Sequence, residues 1–226
     1  MQTVRRHWLL GLLAFLFTAP AVAQLPEGYR VSRQFGKPCR IDTLAFPWRV
    51  ASSDTRFSSV VEHAVATWNA ESLRLGLGQF FKFSQTPESA QLVIDWSGQD
   101  LPGDKAGGVF WDANLGYKRV LKVSMDGSHR VPQGNRAEIL MQELGHVLGL
   151  GDSSEPSDIM YPIMRTRRLA RVSRAGLSQR DKAAITWLYS QPEWVPILAP
   201  TQLLRRPEPA TPEPSFTPHP APAPLP

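Results

Sequence analysis

The chain has 226 residues, one cysteine and a formal net charge of +5. Because Cys39 is the only cysteine, no internal disulfide can form, and packing together with any bound metal must stabilise the fold. Two arginines near the N-terminus contribute to the charge, and the remaining excess is too small to indicate nucleic-acid binding. These properties exclude a disulfide-rich scaffold and argue against a nucleic-acid partner.

The first 23 residues have the composition of a secretory signal peptide. Positive residues at positions 5 to 7 precede an apolar run at positions 8 to 17, and a small-residue site follows at positions 21 to 23. An apolar run this short, between a positive start and an A-x-A site, is typical of a cleaved signal and not of a membrane span. We therefore expect a secreted or periplasmic protein that begins near Gln24, without a lipid anchor or membrane span.

Residues 24 to 44 read as a short lead-in, and residues 45 to 191 carry the patterns of one domain. Apolar side chains at helical spacing predict an amphipathic helix over residues 57 to 73. Short β-prone runs separated by glycine, proline, aspartate and asparagine predict a small twisted sheet. These runs cover residues 80 to 83, 92 to 96, 109 to 111 and 120 to 125.

A second helix is predicted at residues 136 to 148. Asn135 is expected to be its N-cap, with Glu138 at the third helical position as the partner in a capping box. Gly149 follows the last helical residue, and glycine readily adopts the positive φ with which many helices end.

Proline dominates the chain after residue 191, where 12 of the 21 prolines lie. At this density proline disfavours helices and central strands, so residues 192 to 226 are predicted to form an extended, disordered tail. The simplest role for such a tail is an unstructured spacer. A segment that spans an envelope layer or docks a partner is the alternative.

Residues 142 to 152 contain a spacing that is typical of zinc peptidases, and they read Gln-Glu-Leu-Gly-His-Val-Leu-Gly-Leu-Gly-Asp. In an H-E-x-x-H helix, two ligands four residues apart share one face, and the glutamate between them is the general base. Glu143 and His146 occupy the second and fifth positions of that frame, and Gln142 occupies the first. Gly149 would let the chain turn so that Asp152 faces the same metal.

This segment resembles the signature of the metzincin peptidases. Residues 157 to 162 resemble the Met-turn of that clan, in which Met160 would pack beneath the metal. Residues 46 to 50 and 57 to 69 are similar to the first strand and first helix of the matrixins, residues 91 to 96 to a central strand, and residues 177 to 189 to the closing helix. The best match is the matrixin group, over about residues 45 to 190. It implies an α+β, metzincin-like catalytic domain with a small twisted mixed sheet and three helices.

The resemblance also implies a site. Gln142, His146 and Asp152 would hold Zn²⁺, and Glu143 would take a proton from the attacking water and pass it to the leaving amine. An extended peptide would pair with the strand that contains Gly108 and Val109. Pro162 and Met164 would line the pocket for the side chain after the scissile bond, for which a hydrophobic preference is expected.

Gln142 leaves three alternatives open, because its amide oxygen is a weaker zinc donor than the imidazole it replaces. In the first, the amide coordinates weakly in a working enzyme. Water or another histidine, of which His129 is nearest before the helix, could complete the ligand set instead. Alternatively, the site could be empty and the fold kept for binding. The leading hypothesis is an exported monomeric zinc metalloendopeptidase acting on proteins or peptides; the other is a pseudopeptidase that binds peptides or the cell envelope.

Five arginines lie between residues 165 and 174. A run of this kind is typical of a solvated loop. Beside a substrate cleft it would instead favour acidic peptides or an anionic envelope polymer.

Overall fold

Three α-helices and ten β-strands form the part of the chain that the computed structural model describes, which comprises residues 24–114, 116–162 and 176–201. The helices are α1 (Ser58–Arg74), α2 (Gln133–Leu148) and α3 (Gln179–Ser190). The predicted signal peptide, Met164, the arginine-rich run and residues 202 to 226 lie outside the described residues. Within the described ranges, no helix is both long and apolar enough to cross a bilayer.

Most strands belong to one mixed sheet. Its order is β2 (Arg33–Gln34), β3 (Lys37–Ile41), β10 (Val195–Leu198), β8 (Tyr117–Met125), β6 (Leu92–Asp95), β4 (Trp48–Ser52) and β5 (Phe81–Phe83). A further strand, β7 (Gly107–Asn114), pairs antiparallel with β8, while β1 (Tyr29–Val31) pairs with β9 (Leu150–Ser153) in a separate two-stranded sheet. The four β-prone runs of the sequence correspond to β5, β6, β7 and β8, and the α+β class with three helices is confirmed.

Helix α1 packs against both the sheet and α2. Its buried residues recur at the helical spacing seen in the sequence and include Val61, Ala64, Val65 and Trp68. The indole Nε1 of Trp68 donates a hydrogen bond to the carbonyl of Met141 at 2.9 Å. Helix α1 therefore holds α2 in place at Met141, immediately before Gln142 and Glu143.

Helix α2 begins at Gln133, earlier than predicted, with Pro132 as its N-cap and no side-chain capping bond. The predicted N-cap at Asn135 and its capping box with Glu138 are therefore wrong. The Asn135 amide donates to the Pro132 carbonyl at 3.0 Å, so Asn135 already lies within the first turn. Proline has a fixed φ that suits the start of a helix, and the turn it starts overrides the local capping preference.

The folded domain extends beyond residues 45 to 191 at both ends. The lead-in contributes β1, β2 and β3, and the expected tail contributes β10, which lies between β3 and β8. Val195, Ile197 and Ala199 are buried in alternation, which is the two-residue period of a strand. Only one proline, Pro196, lies inside β10. The strand was not predicted because the proline content of residues 192 to 226 as a whole is high.

Candidate functional site

The predicted metal ligands and the predicted base lie around one cavity of about 410 Å³. Helix α2 contributes Gln142, Glu143 and His146 to its lining, and β9 contributes Asp152. Gln142 and His146 are one helical turn apart and therefore share a face of α2. The structure thus brings together the three predicted ligands and the predicted base.

Gly149 determines how the chain returns from α2 to the cavity. It caps the helix with φ 107°, in the left-handed region, as the sequence predicts. A Cβ at this position would overlap the carbonyl oxygen of Cys39 on β3. Glycine is therefore required both by the backbone conformation and by the close approach of β3, and the turn leads directly into β9 and Asp152.

His146 is oriented by a backbone contact. Its Nδ1 lies 2.9 Å from the carbonyl oxygen of Leu150, so Nδ1 carries the proton in the neutral ring and Nε2 is free to accept a metal. Burial lowers the pKa of His146, and the Leu150 carbonyl and Asp152 only partly oppose this effect. A neutral imidazole is the form that binds metals.

The metal donors fit zinc in part. The Nε2 of His146 lies 3.6 Å from the Oδ1 of Asp152. Two donors on one tetrahedral zinc, each at about 2.0–2.2 Å, would lie about 3.3–3.6 Å apart. This pair can therefore share a zinc ion with little movement.

Gln142 is the weak member of the set. It is only 5% exposed, and its side chain makes no hydrogen bond with the described residues. Among those residues, no group of three or more His, Cys, Asp or Glu could hold a metal, so a zinc site here depends on the Gln142 amide or on water for its further ligands. His129 does not line the cavity.

Glu143 is a buried carboxyl group, only 5% exposed. Burial raises the pKa of its carboxyl group to about 8; Asp152 acts in the same direction and Lys105 opposes it. Gly107 on β7 packs against it so closely that a Cβ there would lie 2.8 Å from Oε1 of Glu143. The carboxyl group is therefore confined between α2 and β7 at the edge of the cavity.

Met160 is fully buried beneath α2. A Cβ at Gly145, one residue before His146, would overlap the sulfur of Met160. The thioether thus fills the space that a glycine leaves on the inner side of the helix, which matches the packing role predicted for this methionine.

The strand predicted to bind substrate forms one wall of the cavity. Gly108 and Val109 on β7 line it, and Pro162 also belongs to the lining. Among the described residues β7 pairs only with β8, which leaves its other edge available for an extended chain. Met164 lies outside the described residues, so its predicted place in the pocket stays a prediction.

Comparison with protein families decides the identity of the domain. The family model described as Matrixin matches residues 48–190, which is more than half of the chain. The chain belongs to the matrixin family. A search of curated proteins found no match.

The matrixin domain includes cavity residues that the sequence did not identify. Lys105 and Pro102 line the cavity, and the charge of Lys105 acts to lower the pKa of Glu143. Both precede β7 in an irregular segment, where no periodicity indicates which side chains face a site. The neighbouring pair Gly107 and Gly108 is a sequence signal for a close backbone approach, and Gly107 makes one with Glu143.

Proposed function

We propose that this matrixin-family protein is an exported zinc metalloendopeptidase with Glu143 as its general base. The observation that carries the proposal is that Glu143 and the donor pair of His146 and Asp152 line one cavity next to the open edge of β7. Export rests on the composition of the first 23 residues, which lie outside the described part of the chain.

His146 and Asp152 are the principal ligands in this proposal, and Gln142 completes the set through its amide oxygen. Zinc bound there would supply Lewis acidity that polarises a substrate carbonyl and lowers the pKa of water. The position of Gln142 supports its role, because its side chain lines the cavity beside His146 and Asp152 and makes no hydrogen bond among the described residues.

Glu143 would handle the proton. A carboxyl group with a pKa of about 8 is largely neutral at pH 7, and positive charge in the cavity favours its ionised form. The carboxylate takes one proton from the attacking water while the new C–O bond forms. It then delivers that proton to the amine nitrogen as the C–N bond breaks, giving one carboxylic acid, which ionises in solution, and one amine.

The edge of β7 would position the substrate. An extended peptide that pairs with this strand by main-chain hydrogen bonds passes Gly108 and Val109 and brings its scissile bond close to Glu143. Backbone pairing is independent of side chains, so the strand fixes the path of the peptide and the cavity selects its side chains.

The second candidate function is a peptide-binding pseudopeptidase, and the observation that favours it is Gln142. An amide in place of the first imidazole weakens metal binding, while the open edge of β7 would still bind peptides. Both candidate functions use the same cleft. They differ in whether the protein binds zinc and in whether it hydrolyses the bound peptide.

Zinc content and peptide hydrolysis separate the candidates. The purified protein is expected to contain close to one zinc per chain and to cleave unstructured peptides. Glu143→Gln should keep the zinc and lose at least about a hundredfold in rate, because general-base catalysis contributes roughly that much or more. Glu62→Gln makes the same chemical change at an exposed position of α1 and should leave the zinc content and the rate of hydrolysis unchanged. Peptides that bind to the wild-type protein but are never cut would establish the pseudopeptidase.

A further inference from the structure

A second pocket of about 280 Å³ adjoins the cavity on the far side of His146 and Asp152. Trp111, His146 and Asp152 line both spaces, so the two form one continuous cleft. The residues that line only the second pocket include two cations, Arg30 and Lys118. This arrangement places positive charge beside a cleft that the proposed function assigns to peptides.

Lys118 is a fixed cation without an acidic partner. Its ammonium group lies 4.0 Å from the centre of the Trp111 ring and donates a hydrogen bond to the Ser32 hydroxyl at 2.7 Å. No carboxylate of the described residues lies within ion-pair distance of it; the lysine ion pairs among these residues involve Lys37, Lys122 and Lys182. Burial lowers the pKa of Lys118, because water solvates its buried ammonium group poorly. An anion beside the ammonium group would stabilise its charge.

Arg30 adds a second charge to the lining of this pocket. It is exposed on β1, and it has no ion pair among the described residues. Among the described residues that line this pocket, Asp152 is the only anion. Its Oδ1 faces Nε2 of His146, which is the direction of the proposed metal, so it does not neutralise Lys118.

The second pocket lies along the path of a peptide bound to β7. Gly107 contacts Glu143, whereas Trp111, beneath the ammonium group of Lys118, comes four residues later on the same strand. Four residues of extended chain span about 13 Å at 3.3 Å each. A peptide that pairs with β7 and has its scissile bond at Glu143 therefore places a side chain near Lys118 about three or four residues from that bond.

We propose that Lys118 and Arg30 form a subsite for a carboxylate side chain, so that this protein prefers peptides with glutamate or aspartate about three or four residues from the scissile bond. The subsite rests on the proposed peptide cleft, but it does not require that the cleft be catalytic. A carboxylate has two oxygens that can accept from the two cations lining this pocket, and the Trp111 ring holds the Lys118 charge in place.

Peptide binding tests the proposal without relying on hydrolysis. The probes are fluorescent octapeptides of one neutral, unstructured sequence in which a single glutamate, glutamine or lysine is moved through every position. Binding is measured by anisotropy with the zinc-loaded Glu143→Gln protein, and the cleavage sites are then mapped with the active protein. One position should show about three- to tenfold tighter binding of glutamate than of glutamine, as expected for a partly buried ion pair.

Four variants assign that preference to the pocket. Lys118→Met should abolish it, Lys118→Arg should retain it, and Lys118→Glu should reverse it in favour of lysine. Lys82→Met removes an exposed lysine from β5, outside both pockets, and should have no effect. Circular dichroism and thermal unfolding check that each variant is folded.

The outcomes distinguish this subsite from the proposed function. If the ratio of the affinities for glutamate and glutamine peptides is the same in the wild-type and Lys118→Met proteins, the subsite proposal alone is overturned. The same holds if the preference for glutamate depends on Lys105 and not on Lys118. A preference that depends on Lys118 without any cleavage would support the subsite and overturn the hydrolytic function. If no peptide binds at all, both proposals fail.

Discussion

At the scale of single residues, Asp181 connects three distant parts of the chain. Its buried carboxylate accepts hydrogen bonds from the hydroxyl of Tyr29 at 2.6 Å and from the amides of Ile159 at 2.9 Å and Ser178 at 2.7 Å. The lead-in, the Met160 turn and the start of α3 therefore share one buried anion. Such an anion is stable only while its donors are in place.

Removing one of these donors should cost measurable stability. Tyr29→Phe deletes the hydroxyl and leaves a buried carboxylate less well solvated, so the free energy of unfolding should fall by about 1–3 kcal/mol. Urea unfolding followed by fluorescence measures this change. Tyr117→Phe removes a half-buried hydroxyl and keeps the ring that lies against Arg119, so it should be nearly neutral. Equal losses in the two variants would contradict the role given to Asp181.

In the proposed zinc site, the amide of Gln142 is the weakest donor and would limit the metal affinity. Gln142→His places two imidazoles one turn apart on α2, and because imidazole is the stronger donor, zinc affinity should rise roughly tenfold or more, equivalent to about 1.4 kcal/mol. Competition with a chelator measures the zinc affinity of the variant and of the wild type. Gln99→His introduces a histidine at an exposed position away from the cavity and should leave the affinity unchanged. An unchanged affinity in Gln142→His would mean that position 142 does not face the metal.

At the scale of elements, an ion pair joins the neighbouring strands β6 and β8. Lys122 on β8 lies 2.6 Å from Asp95 on β6. Burial raises the pKa of Asp95, but hydrogen bonds from Lys122 and Ser97 outweigh it and hold the value at about 2. Because this is below the pKa of about 3.9 for an unfolded aspartate, the pair stabilises the fold above about pH 4 and loses its effect as the pH falls towards 2.

The variant Lys122→Met should therefore destabilise the protein in a pH-dependent way. At pH 7 the expected loss is about 1–2 kcal/mol, reduced from the full linkage value because Lys122 is partly exposed. Near pH 2 the variant and the wild type should differ little. Urea unfolding across this range gives the comparison, and a loss that is constant with pH would show that the effect comes from packing of the lysine side chain.

At the scale of the whole molecule, the two ends of the domain complete its sheet together. The matrixin match covers residues 48–190, whereas β3 precedes that range and β10 follows it. These strands pair in parallel, with Cys39 opposite Val195 and Ile41 opposite Ile197. Arg40 lies over the rings of Tyr189 and Trp194, so cation–π contacts reinforce the junction.

Truncation tests this closure. A chain that ends at Gln191 loses β10 and exposes β3 and β8, and the loss of buried Val195 and Ile197 alone should cost about 3 kcal/mol or more. We expect a fall in Tm of about 10 °C or more. A chain that ends at Thr201 keeps β10 and should retain nearly all of the Tm. Equal melting temperatures for the two truncations would show that β10 contributes little.

The sequence alone determined the features that depend on local pattern. Apolar spacing located α1 and the body of α2, the order of residues 142 to 152 placed Gln142 and His146 on one helix face, and Gly149 indicated the left-handed turn. Each of these follows from interactions within a few residues, which a single sequence expresses directly. The resemblance to the matrixins followed from the same short motifs.

Only the tertiary structure decided what depends on contacts between distant segments. The place of β10 between β3 and β8, the early start of α2 and the separation of 3.6 Å between His146 and Asp152 all depend on which surfaces meet. The same holds for Lys105 and Lys118, whose positions beside the cleft are set by β7 and β8 and by no local pattern. Burial then gives these side chains their chemistry, because desolvation changes a pKa only after the chain has folded around the group.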